Sequence, residues 1–175
     1  MAISLYDMSV ASYLQTLGGV IGFLDRGLSH FEETNVDPDA IMEERLFPDM
    51  FTFRFQLQSV RHHSLGAIEG VKAGVFSGPP AIPAHDYKTM RGLIVEARDA
   101  LQAMRPVEIN ALEGKDVTFK SPTFDMPFVA QNFLLSLSLP NFYFHATTAY
   151  DILRTKGVPL GKRDFMGQMR MKTAA

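Results

Sequence analysis

Apolar residues recur at spacings of three and four along four long stretches of this chain. In the first, Val10, Tyr13, Leu14, Leu17, Ile21, Leu24, Leu28 and Phe31 form one stripe. That stripe predicts a helix from about Asp7 to Phe31, with Asp7 as its cap. Gly18, Gly19 and Gly22 weaken it and leave room for a neighbouring helix to approach closely. In the second stretch, Phe53, Leu57, Val60, Ser64, Ala67, Ile68 and Val71 share one sector about 100° wide, which predicts a helix from about Thr52 to Lys72. His63 falls at the border of that sector beside Gln56, while His62 points away. In the third, Tyr87, Met90, Ile94, Ala97, Leu101 and Met104 predict a helix from about His85 to Met104, closed by Pro106. The fourth runs from about Phe128 to Lys156 and contains Pro140, which predicts a kink. Beyond the proline, Phe142, Ala146, Ala149 and Leu153 face the core and His145 borders that face, one turn after Asn141. Gly157 fits a left-handed helix cap, and Pro159 prevents continuation.

The segments between are short. Thr34 to Asp49 is a connection holding one short helix, opened by Asp37 and Pro38. Gly74 to Pro83 reads as a loop from its glycines and prolines. Asp116 to Met126 reads as two short strands about a Ser121-Pro122 turn. Two strands are marginal alone, so the hairpin must lie on the helices. The expected fold class is all-α: a four-helix bundle with a small β-hairpin before the last helix and a short C-terminal tail, as one domain over residues 1–175.

Composition narrows the function classes. The chain has 175 residues and a net charge of −2, so nothing in its charge calls for nucleic acid. The charge is uneven, since Lys156, Lys162, Arg163, Arg170 and Lys172 against Asp164 give the tail +4 and leave −6 elsewhere. A solvated tail accounts for this, with a phosphate or partner contact as the sharper alternative. With no cysteine there is neither a disulfide scaffold nor a thiol nucleophile. No stretch reaches the roughly 18 apolar residues that span a bilayer, and no signal peptide is evident, so a cytoplasmic location is expected.

Candidate chemistry centres on histidine. His145, beside Phe142 and Phe144, could titrate near neutral pH, bind a metal or move a proton. A buried, hydrogen-bonded structural role is the plainer reading. Tyr143 and Tyr150 are helix neighbours able to supply hydroxyls. His63 is the better oriented member of its pair, whereas His62, His30 and His85 are expected at the surface. No pair of carboxylates has a spacing that argues for acid–base catalysis, and neither a Gly-rich phosphate loop nor a nucleophile elbow is evident, so no residue is assigned a catalytic role.

Three blocks carry a family resemblance. They are LYDMSV near the start, LFPDMF before the second helix, and LPNFYFHATTAYDILRTKGVPLGKRDF at the end. Together they resemble the domain-of-unknown-function family numbered nineteen ninety-three, a branch of the DinB/YfiT-like four-helix bundles, over Leu5 to Gly167. That resemblance implies a fold known for metal-dependent enzymes, some of them thiol transferases, and for homodimers. It also implies a metal site of one histidine from the second helix and two from the last, four residues apart. Here His145 matches one, but the positions four before and four after it are Asn141 and Ala149. Zinc and nickel favour nitrogen and sulfur donors, so a His145 and His63 metal site is incomplete, and no cofactor is the leading expectation. The leading reading is a ligand-binding or interaction protein, homodimeric, with His145, Asn141, Tyr150 and Gln56 as ligand residues. The alternative is a metal-dependent hydrolase or transferase.

Overall fold

The computed structural model describes residues 3–172. Four long helical runs carry the core. They are α2 (Val10–Glu33), the continuous run over residues 53–73, α5 (Tyr87–Gln102), and the continuous run over residues 130–155. The run over 53–73 comprises α3 (Phe53–Arg61), a π-helical turn (His62–Gly66) and α4 (Ala67–Ala73). The run over 130–155 comprises α7 (Ala130–Phe133), a second π turn (Leu134–Ser138) and α8 (Leu139–Thr155). α2 packs on α5 and α8, and α3 packs on the same two helices, which closes the ring of a four-helix bundle. The stripe positions read from the sequence are its interior: Tyr13, Leu17, Phe53, Leu57, Met90, Ile94, Phe142 and Ala149 are all fully buried. Such burial of apolar surface is the main favourable term in folding.

The helix ends show local control. Ser4, rather than Asp7, caps the first turn α1 (Leu5–Met8), and Asp7 reaches back to the Ser4 backbone from the third position. Thr52 caps α3 and Asp86 caps α5 through side-chain oxygens. Gly157 adopts φ +85° after α8, where its N–H bonds to Arg154 O and that of Val158 to Leu153 O. This is the paired bonding that satisfies orphan carbonyls at a helix end. Pro106, expected to close the third helix, instead opens the short α6 (Pro106–Asn110).

The β structure is larger than the hairpin expected. β2 (Asp116–Lys120) and β3 (Asp125–Val129) pair antiparallel, and β1 (Val75–Ser77) adds to β2 in parallel, with Val75 opposite Thr118. β1 lies inside the segment read as a loop. Phe76 explains its placement, since its ring packs on Phe133 with centroids 5.1 Å apart and is buried. α9 (Lys162–Met166) lies against α2. Among the three N-terminal glycines, Gly19 alone meets a close neighbour, the Phe165 backbone, so the approach it permits is by the tail and not by a long helix. Among the described residues, no helix is long and apolar enough to cross a membrane.

Candidate ligand pocket

The two central runs carry matching polar stripes. Gln56, Ser59 and His63 are spaced three and four apart, as are Ser138, Asn141 and His145. That spacing puts each trio on one helical face. Each run also contains a π turn, which displaces the backbone ladder by one residue and recurs at functional sites. The turns are joined directly. Ser138 Oγ donates to the carbonyl of His63 at 2.6 Å, so the hydroxyl of Tyr13, 2.6 Å away, must donate to Ser138. Tyr13 is fully buried, and burial pushes its phenol pKa up.

Between the stripes lies a pocket of about 390 Å³. Ser59, His63, Asn141 and His145 line it together with aromatic side chains that include Phe55 and Phe144. The His63 and His145 rings are near parallel, 13° apart, with centroids separated by 5.8 Å. Both are buried, at 7% and 9% exposure. Burial drives the His63 pKa down to about 3, helped by the neighbouring His62 and His145, and drives that of His145 down to about 4. Both rings are therefore neutral at pH 7.

One tautomer is set by bonding. Gln56 Nε2 donates to the carbonyl of Phe51 at 2.9 Å, which turns its Oε1 towards His145. His145 Nδ1 lies 2.7 Å from that oxygen and must carry the proton, because an amide oxygen only accepts. His145 Nε2 is left holding a lone pair. By contrast, His63 Nδ1 and Ser59 Oγ are buried with no hydrogen-bond partner. Such orphans cost about 1–3 kcal/mol each.

The expected residues separate into three groups. His145, His63 and Asn141 meet at the pocket, and the Asn141 amide donates to Leu137 O at 2.7 Å. Gln56 is 1% exposed and acts on the pocket only through His145. Tyr150 does not join them: its ring packs edge-on against Phe23 and Phe165, on the side facing α2 and α9. His62, expected at the surface, is instead half-buried, stacked on Phe76 with its Nε2 2.7 Å from Ser77 O. Ser59 was not among the candidates, although its place between Gln56 and His63 was a usable signal. Phe119 came from the distant hairpin and had none.

A metal centre of the implied kind needs three protein ligands and an open position. Among the described residues, no group of three His, Cys, Asp or Glu side chains converges on one point. His63 and His145 have no third such partner, and Asn141 is a poor donor for zinc or nickel. The residues present do not fit a resident zinc or nickel ion.

The fold has a counterpart of known structure. A DinB family member protein from Shewanella denitrificans superposes with a TM-score of 0.80 over 97% of this chain and 96% of its own, at 24% identity. Among curated proteins none matches the chain. The sequence pattern of a domain of unknown function, DUF1993, matches residues 5–166. The bundle is DinB-like in fold, and by that match over nearly its whole length the chain belongs to the DUF1993 family.

Proposed function

We propose that this protein is a non-catalytic, small-molecule-binding bundle, built on a DinB-like scaffold whose metal site is incomplete and which holds no resident metal. The observation that carries this reading is the pocket between the two polar stripes, where His145 Nε2 keeps a lone pair that none of the described residues takes up. An acceptor fixed in place by Gln56 on the wall of a mainly apolar pocket is the arrangement by which small-ligand sites orient what they bind. The cavity volume falls in the usual range for small-ligand sites, and its wall is mainly apolar with a few convergent polar groups. The alternative, a metal-dependent hydrolase or transferase, requires a third donor that the pocket residues do not supply. A homodimer is part of the same reading, since Leu135, Tyr143 and Phe144 stand exposed along the last helical run. A cytoplasmic location completes it.

Nuclear magnetic resonance with ¹⁵N-labelled imidazoles tests the central point. A library of small aromatic and aliphatic compounds should contain members that shift the His63 and His145 resonances and leave His30 and His85 unmoved. A library that moves neither pocket histidine would overturn the reading.

A further inference from the structure

The chemistry of the pocket wall restricts what it can hold, given that the pocket is a ligand site as proposed above. Among the described residues, no Lys, Arg, Asp or Glu lines the cavity. An anion entering it would give up part of its hydration with no cation to meet, and a cation would find no carboxylate, so the wall favours neither. The polar groups on offer are neutral. The strongest is His145 Nε2, an acceptor whose lone pair is fixed by the chain Phe51 O, Gln56 amide, His145 Nδ1. Because Gln56 Oε1 cannot donate, His145 cannot hand its Nδ1 proton back and present an Nε2–H donor without breaking that bond. Four phenylalanines, Phe51, Phe55, Phe119 and Phe144, make up much of the remaining wall: Phe51 and Phe55 stack with centroids 4.1 Å apart, and Phe144 meets His145 edge-on at 5.3 Å. Flat ligands gain most against such a wall, because ring–ring contacts add to the area they bury.

We propose that the pocket takes an uncharged aromatic molecule of one or two rings bearing a hydroxyl or N–H group, whose proton is donated to His145 Nε2, with Gln56 as the positioning residue that fixes the acceptor. The cavity of about 390 Å³ sets the size. The neutrality of both histidines at pH 7 agrees with it, since a charged imidazolium would recruit carboxylates instead.

The test uses the full chain with three probes of similar shape at pH 7: phenol, toluene and benzoate. Imidazole ¹⁵N spectra follow the binding site, and titration gives the affinities. Phenol should bind about three- to tenfold tighter than toluene or benzoate, one net hydrogen bond's worth, and should move His145 Nε2 more than Nδ1. Gln56→Leu should bring phenol down to the affinity of toluene, leave toluene unchanged, and convert His145 from the Nδ1–H form to a tautomer mixture. A structural role alone would weaken both probes together. The comparison of probes on the unaltered protein stands even if that variant does not fold. Benzoate binding tightest, or phenol and toluene binding equally with shifts at His145, would overturn the donor proposal and leave the pocket reading intact. Should phenol be silent while aliphatic compounds shift the histidines, the class is wrong and the pocket reading survives. Silence from every compound would remove both.

Discussion

His63 and His145 tie the stability of the protein to pH. Each ring is neutral in the folded state down to about pH 3 and 4 respectively, whereas an exposed histidine in the unfolded chain protonates near 6.5. Between those values the unfolded state binds more protons than the folded one, so stability falls as pH falls. Above about pH 6.5 both states are neutral at these residues and the dependence vanishes. The expected loss between pH 7 and pH 5 is on the order of 2 kcal/mol for each histidine, read from urea unfolding midpoints. A double variant, His63→Gln with His145→Gln, should show a flatter profile over the same range. An unaltered protein whose midpoint holds constant from pH 7 to 5 would contradict the burial argument. His145 was legible in the sequence as a buried, hydrogen-bonded residue at the border of its face. His63 was legible only as a border residue and its depth was not, because it lies inside a π turn, where a constant 100° per residue fails.

At the level of elements, the four apolar stripes were sufficient to place the four helices, since only one face of each could be buried. Pro140, expected to kink the last helix, stands in the first turn of α8, directly after the π turn Leu134–Ser138, inside the continuous run over residues 130–155. The departures have local causes. The cap of the first helix moved from Asp7 to Ser4 because the pair forms a reciprocal box, with serine better placed to accept. β1 was missed because three residues carry no periodicity, and its strand geometry comes from pairing with β2. The bond between the two π turns is the element-scale feature with a measurable energy. Ser138→Ala would leave the His63 carbonyl and the Tyr13 hydroxyl without their partner, at a cost of about 1–3 kcal/mol. The exposed Ser136→Ala, two residues away, should stay within about 0.5 kcal/mol of the unaltered protein. Equal midpoints for the two variants would show that the link does not hold the helices together.

For the whole molecule, the bundle places one polar layer inside an apolar core. Its two halves come from runs 53–73 and 130–155, and their hydroxyl, amide and imidazole groups meet across the helix interface. The family's blocks of sequence identified this architecture. What the chain could not reveal on its own was the closure of the pocket by Gly78, Pro79 and Phe119, which come from the sheet and the loop after β1. One positive charge of the tail is engaged by the body, since Lys156 bonds to Glu44 at 2.7 Å, and the tail's Asp164 is taken up by Arg26 of α2 at 2.7 Å. These pairs are partly exposed and worth little individually.

The central claim is that this layer is a hydrogen-bonding pocket and not a metal centre. Elemental analysis by mass spectrometry, on untagged protein loaded with zinc or nickel and then dialysed, addresses it directly. The account predicts metal far below one equivalent, equal in the unaltered protein and in His145→Ala. About one equivalent of either ion, lost in His145→Ala, would contradict it.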